Sequence, residues 1–395
     1  EHTMLNISSA PTHRVALMIN LSTSFGRRIV EGVNSYPLRA NWELLAESWG
    51  DIGTDDLVSG ENADGLIVDT SNRRLAEVVR TSGKPTVVIA GTTENPAWSS
   101  VIPDFRQIGC LAAQHFLENG FRRLAFLGIP NSQSSKEMES AFAQVAQEAG
   151  ASITVHSTRL SWSGHRKQER QKLLDWLTRL TSPCAIFAAN DILARRVLQA
   201  CRILRYPVPE QFAVLGVGDY EVVNTLTRPP LSTVVVAARQ IGVQAAEALS
   251  KLMARPTIEC AVHIRVPAVS VAARRSTDRF AWEDPIITEA LVWLKSHCAD
   301  KIGIPELAQA LSFSRRSLEQ HFRAVVGHGP GEELRRIRFQ LAQQLLTETD
   351  WSLGPVARAS WIQSSERLCA LFKARIGMPP NEFRRQTLNT DLVGK

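Results

Sequence analysis

Between residues 13 and 275 the chain alternates two kinds of segment. The apolar runs "RVALMIN", "DGLIVD", "PTVVIAG", "RLAFLG", "CAIFAAN" and "AVLGVG" are short, and each is followed by a longer stretch of helical periodicity. Continuously apolar strands are what a parallel sheet covered on both faces requires, because both sides of every strand are buried. The expected architecture over 13–275 is therefore α/β, a two-lobed domain of doubly wound parallel sheets. After Ser276 the β-branched runs stop, and 286–386 reads as an all-α domain. The polar stretch "RRSTDRFAWEDP" ends in a proline, which places the linker at 276–285.

Within the helical part, "IPELAQAL" puts Leu307, Ala310 and Leu311 on one face, and a break at Ser312 and Phe313 follows. Ser314 is a good N-cap for a second helix, in which Leu318, Phe322 and Val325 recur at i, i+4 and i+7 and face inward. That spacing turns Arg315, Arg316, Glu319, Gln320 and Arg323 outward. A solvated surface helix carries the same residue types, so spacing alone leaves open whether they meet water or a polyanion. Downstream, Leu334, Ile337, Leu341 and Leu345 form a stripe fit to pack two helical hairpins together. "SLGPVARASWIQSSERLCALFKARIG" then repeats the first pattern: a cap at Ser352, Val356 and Ala357 inward, a break, and Leu368 and Phe372 four apart. Trp361, at that break, reads as core filler.

Charge changes the balance between the two readings. The chain of 395 residues carries a net charge of +6. From Lys301 to Arg385 thirteen Lys and Arg stand against eight Asp and Glu, so nearly all of the excess lies in the helical part, the distribution expected of a nucleic-acid reader. Apolar residues make up 44%, ample for packed cores in two or three domains. "VALMINL" is too short for a membrane span and lacks the flanks of a leader, so a cytoplasmic protein with no membrane partner is expected.

Catalytic and metal chemistry finds no pattern. The six cysteines lack a C-x-x-C pair, which argues against a disulfide framework or zinc site. Nine histidines, among them His115, His321 and His328, show no metal spacing. "GVGD" lacks the third glycine of a dinucleotide loop, and no P-loop, H-E-x-x-H or G-x-S-x-G occurs. No enzyme, cofactor or metal is expected. Three carboxylates do fall at strand ends, where ligands of open parallel sheets sit: Asp69, Asp191 and Asp219. A carboxylate accepts from two vicinal hydroxyls, as sugar recognition needs, although each position also suits a helix cap or turn.

"ELAQALSFSRRSLEQHFRAVVG", "RRIRFQLAQQLLTETDWSL" and "LFKARIGMPPNEFRR" together resemble the DNA-binding domain of the AraC family of transcription regulators. That resemblance implies two helix-turn-helix motifs entering successive major grooves. By position, Arg316, Glu319 and Gln320 would face bases and Arg315 and Arg323 the backbone, while Ser364, Ser365, Glu366 and Arg367 belong to the second reading helix. The chain departs from the family in having Ser312 and Trp361, not glycine, at the two turns, which weakens the second hairpin as a reader of bases. The region 185–253 and "VIPDFRQIGCLAAQHFLENGFRRLAFLG" resemble the core of the LacI family and periplasmic sugar-binding proteins, without that family's N-terminal headpiece. The order, sensor first and AraC-type reader last, resembles activators of sugar operons. It implies a periplasmic-binding-protein-like sensor for a small sugar, with a pentose such as xylose as the lead. Asp191, Asp219 and Gln240 would bind hydroxyls, with Asp69 and Arg27 from the first lobe and Phe25 stacking on the sugar. Met138 stands where related sensors commonly have an arginine, which loosens the choice of sugar. A homodimer on operator half-sites of double-stranded DNA, working with RNA polymerase, completes the expectation. The alternative is a sugar-binding protein whose helical tail contacts other proteins.

Overall fold

The computed structural model describes residues 13–36, 42–46, 63–71, 73–91, 95, 98–158, 166–218, 221–254, 261–278, 284–349 and 351–387. In chain order the elements are β1 (His13–Met18), α1 (Ser24–Asn34), β2 (Trp42–Ala46), β3 (Gly65–Asp69), α2 (Arg73–Ser82), β4 (Thr86–Ala90), β5 (Ser99–Pro103), α3 (Phe105–Glu118), β6 (Arg123–Gly128), α4 (Gln133–Glu148), β7 (Ser152–Ser157) and α5 (Arg166–Arg179). They continue with β8 (Cys184–Ala188), α6 (Asp191–Leu204), β9 (Phe212–Val217), α7 (Glu221–Leu226), β10 (Ser232–Val236), α8 (Ala238–Ala254), β11 (His263–Val266) and β12 (Ala268–Ala272). The helical domain follows: α9 (Pro285–Ser296), α10 (Ile304–Ala310), α11 (Arg315–Val326), α12 (Pro330–Glu348), α13 (Leu353–Ala359), α14 (Ser365–Ile376) and α15 (Pro380–Thr387).

Two six-stranded sheets repeat one topology. The first runs β11-β5-β4-β3-β1-β2 and the second β12-β10-β9-β8-β6-β7, so in each the second strand of the lobe lies outside the first and the order reverses there. Strands β1, β3 and β4 pair in parallel, as do β6, β8, β9 and β10. Their residues are buried on both faces: Leu66, Ile67 and Val68 in β3 and Ile186, Phe187 and Ala188 in β8 are all 0% exposed. That burial is why the sequence shows unbroken apolar runs there. β7 differs, with no buried position and four of its six residues exposed at the sheet edge.

The chain divides into two compact units. One is built on the first sheet and takes 1–104, 132–134 and 236–268; the other is built on the second sheet and includes the helical domain. In the first unit α1 and α8 pack backbone to backbone. A β-carbon on Gly32 would stand 2.1 Å from the Arg239 carbonyl oxygen, and one on Gly242 would stand 2.1 Å from that of Ile29, so both positions need glycine. In the second unit the stretch expected to be linker is partly structural. Arg275–Thr277 forms a 3-10 turn, and Ser276 and Thr277 are 0% and 3% exposed. The Ser276 hydroxyl donates to the Val214 carbonyl at 2.6 Å and accepts from the Ser232 amide at 2.8 Å, which fastens the turn to the second sheet. Residues 279–283 lie outside the described residues.

Two small cores share α12. Ile287, Leu291, Leu294, Leu307, Leu318 and Phe322 pack on Leu334 and Ile337. On the other side Phe339 meets Phe372 at 4.9 Å between ring centroids, and Phe372 meets Phe383 at 5.2 Å. The expected inward set needs two corrections. Ala308, at 4% exposed, turns inward beside Leu307 while Ala310 is exposed, because α10 is seven residues long and a single turn presents adjacent positions to one core. Leu346 is 0% exposed and Leu345 only half-buried, since α12 has cores on two sides and not one.

Candidate DNA interface and effector site

At the carboxyl edge of the first sheet, the turn after β1 leads into α1, whose N-cap Thr23 accepts from the Gly26 amide at 3.0 Å. Phe25 is half-buried there. Arg27 is exposed and donates to the Leu21 carbonyl at 2.9 Å, while its neighbour Arg28 is 5% exposed. Asp69 ends β3, half-buried, and its carboxylate accepts from the Ser71 amide at 2.9 Å. Phe25, Arg27 and Asp69 thus follow β1 and β3, the two strands flanking the reversal of strand order. An open parallel sheet offers its crevice at that edge. Gln240 lies half-buried in the first turn of α8, in the same unit.

The second sheet treats its carboxylate differently. Asp191 is 1% exposed; one oxygen accepts from the Thr233 hydroxyl at 2.7 Å and the other from the Asn224 amide at 2.8 Å. It also sits over β9, where a β-carbon on Gly216 would come within 2.2 Å of its oxygen. Buried and engaged at both oxygens, Asp191 braces α6 to α7, β9 and β10, and these two bonds do not exhaust the lone pairs of a carboxylate. Its neighbour at that edge is Asn190, half-buried, whose side-chain oxygen caps α6 by accepting from the Leu193 amide at 2.8 Å and whose side-chain amide can donate. The signal for Asn190 was in "AAND": an N-cap must stand at the mouth of its helix, whereas the next residue turns inward. Met138 is 3% exposed and brings no polar group. Asp219 lies outside the described residues.

The reader is built from two hairpins. Ser314 is in extended conformation and accepts from the Ser317 amide at 3.1 Å, starting α11; Ser364 does the same for α14 through the Arg367 amide at 3.2 Å. Arg315, Arg316, Gln320 and Arg323 are exposed on α11. Glu319 is paired to Arg315 at 2.8 Å, an exposed contact of small worth that opens readily. On α14, Glu366 and Arg367 are exposed and Ser364 and Ser365 half-buried. The Ser364 hydroxyl holds the Glu366 carboxyl below its ordinary range, assisted by a backbone amide. Ser312 and Trp361 both have left-handed backbones, φ 59° and 52°. The two turns therefore keep the glycine conformation without the glycine, at a cost of about 1 to 2 kcal/mol each. Trp361 is 41% exposed, which corrects its reading as core filler.

The reader is tied to the second sheet. Arg336 on α12 donates to Glu118 at the end of α3 at 3.0 Å, and in a forked pair to Glu333 at 2.6 and 2.9 Å. Burial works hardest against the Arg336 charge, yet Glu333 and Glu118 together leave its pKa raised. Lys295 pairs with Asp278, next to the 3-10 turn; within the sensor itself, the His115 ring meets the Thr277 hydroxyl of that turn at 2.9 Å. Burial, with help from Arg336 and Lys295, pushes the His115 pKa down to about 3, so this link is made by a neutral ring.

A model of the periplasmic binding protein-like domain matches residues 113–277, and a model of the helix-turn-helix domain matches 307–386. The chain is 28% identical over 382 residues to the xylose operon regulatory protein of Escherichia coli strain K12, covering 94% of this chain and 97% of that one. To its counterpart in Haemophilus influenzae it is 27% identical over 381 residues, covering 94% and 98%. The solved structure of the xylose-binding transcription activator XylR superposes with a TM-score of 0.60 at 28% identity, covering 94% of this chain and 98% of that one.

Proposed function

We propose that this chain, an AraC-type transcription regulator with a LacI-like sensor and homologous to the xylose operon regulatory proteins, is a sugar-controlled activator that acts as a homodimer on operator half-sites and works with RNA polymerase. The observation that carries this is the pair of capped helices α11 and α14, each leaving its N-terminal turn in solvent behind a hairpin turn, with three exposed arginines on the first. Arg316, Glu319 and Gln320 read base edges, and Arg315 and Arg323 hold phosphates. Ser364, Ser365, Glu366 and Arg367 form the second, less cationic contact. The effector is a small sugar, with xylose first in line from the relatives' names. The candidate effector groups are Asp69, Phe25, Arg27 and Gln240 of the first unit and Asp191, Asp219 and Asn190 of the second, each set taken within its own unit. The effector can shift the reader only by binding its two states unequally. The ties from Arg336 to Glu118 and from Lys295 to Asp278 offer a path for that difference.

The test is retardation of operator DNA across a salt series, with and without a panel of pentoses and hexoses. Several phosphate contacts give a log-log slope near 0.9 per contact. The expected result is a steep slope and an effect of one sugar that Asp219→Ala removes while basal DNA binding persists. A salt-independent interaction, or none, would leave the helical domain as a protein-binding tail.

A further inference from the structure

Trp361 has three features that do not fit a filler residue. Its backbone is left-handed, where glycine is the ordinary occupant, it is 41% exposed, and its neighbours come from far along the chain. Its indole N–H donates to the carbonyl of Ala299, in the segment between α9 and α10 that leads into the first hairpin. The guanidinium of Arg338, on the helix that joins the hairpins, lies over the indole at 5.6 Å from the ring centroid. Arg338 in turn donates to the carbonyls of Cys298 and Asp300 at 3.0 Å and of Ile302 at 3.2 Å. One planar cation thus gathers three carbonyls ahead of the first hairpin on its edge and the turn of the second hairpin on its face. Only a planar group with a fork of donors can do both. Ser312 occupies the matching backbone position in the first hairpin and has no such reach, so the arrangement belongs to the second turn alone.

We infer that Trp361 and Arg338 form a staple that fixes the second hairpin against the first, so that the separation and tilt of α11 and α14 are set before DNA is met and the reader selects sites by the spacing of their two contacted segments. This rests on the DNA-reading role proposed above, but the staple itself does not. It gives the departure from glycine at the second turn a function: a flexible joint is replaced by a fixed one. Both are positioning residues, since neither needs to touch DNA.

The full chain is tested with Trp361→Gly, which relieves the backbone and removes the indole, and Arg338→Lys, which keeps the charge but loses the plane and the fork. Ser312→Gly, relieving the other turn, is the control. Spin labels at the exposed alanines Ala324 on α11 and Ala374 on α14 report their distance distribution without DNA. It is expected to be narrow in the parent and in Ser312→Gly and clearly broader in the other two. Affinity is then measured on duplexes recovered by in vitro selection with the parent chain, and on the same duplexes with a base pair inserted between the contacted segments. The parent is expected to lose about ten-fold or more on insertion, since each added step turns the second groove away, and Trp361→Gly to lose much less. Unchanged distance widths in Trp361→Gly and Arg338→Lys overturn the staple whether or not the chain binds DNA. Broadened distances in a chain that retards no DNA overturn the spacing selectivity with the DNA reading and leave the staple standing. If Trp361→Gly does not fold, Trp361→Phe, which removes the indole donor, is read by the same distances.

Discussion

The two hairpins of the helical domain share one backbone plan. Each has a seven-residue helix, a left-handed turn residue, a serine N-cap, a twelve-residue helix and a left-handed glycine, Gly327 or Gly377, beyond it. Their chemistry diverges on that common frame. The first turn of α11 carries Arg315 and Arg316, whereas the first turn of α14 carries Ser365, Glu366 and Arg367. The first turn residue is a small serine, and the second is a tryptophan bonded to the segment that leads into the first hairpin. A fold can therefore be duplicated while its parts diverge, one half placing two arginines in the first turn of its second helix and the other a tryptophan with distant partners at its turn.

The largest expected effect asks whether the halves are separate at all. Phe322 and Phe372 are both 0% exposed and occupy matching positions, each filling the core of its own hairpin. Truncation of either to alanine is expected to cost about 3 to 5 kcal/mol. If α12 makes one cooperative unit of the two cores, denaturant unfolding of either variant followed by tryptophan fluorescence and by helicity gives coincident transitions. Two separated transitions in Phe372→Ala alone would break the comparison into two independently folding halves.

Next in size is DNA affinity. Arg316→Ala is expected to weaken specific binding by about 1 to 3 kcal/mol and to relax sequence preference at one position, as loss of a base contact does. Arg367→Ala is expected to weaken binding less, nearly equally on all sequences, and to lower the salt slope by about 1, as loss of a phosphate contact does. Retardation of a set of single-site operator variants separates the two outcomes. Equal loss of preference in both variants would show that the hairpins read alike and erase the division of labour.

What the sequence disclosed follows from how many physical demands act on a residue at once. The apolar runs of β1, β3, β4, β6, β8 and β9 stand out because burial on both faces leaves no choice of residue type. β7, "SITVHS", lies at an edge with exposed positions, and its mixed composition hides it. Reading outward from Leu318 and Phe322 placed the arginines of α11 in solvent, since one helix with one core obeys one period. α12 has two cores, so a single stripe mistook Leu345 for Leu346. Trp361 was misread for a deeper reason. A turn tryptophan and the strand-end Asp191 both have partners 33 to 62 residues away, Ala299 for the one and Asn224 and Thr233 for the other, which local pattern does not locate.

The smallest effect is the most discriminating between the hairpins, because it changes the same atom in both. Ser314→Ala and Ser364→Ala each remove a hydroxyl that accepts from an orphan amide at a helix start, with an expected loss of about 1 kcal/mol of stability. The second serine has one more task, since its hydroxyl holds the Glu366 carboxyl below the ordinary range. A carboxyl depressed in the folded state contributes stability above its unfolded pKa and loses it as pH falls through the folded one. At neutral pH Ser364→Ala should therefore cost more than Ser314→Ala, and the excess should shrink as the solution is acidified through the carboxylate range. The titration of Glu366 followed by NMR should move up in Ser364→Ala and stay in place in Ser314→Ala. Equal costs at every pH, with no movement of Glu366, would reduce the second cap to a copy of the first and leave the difference between the hairpins to their arginines and to Trp361.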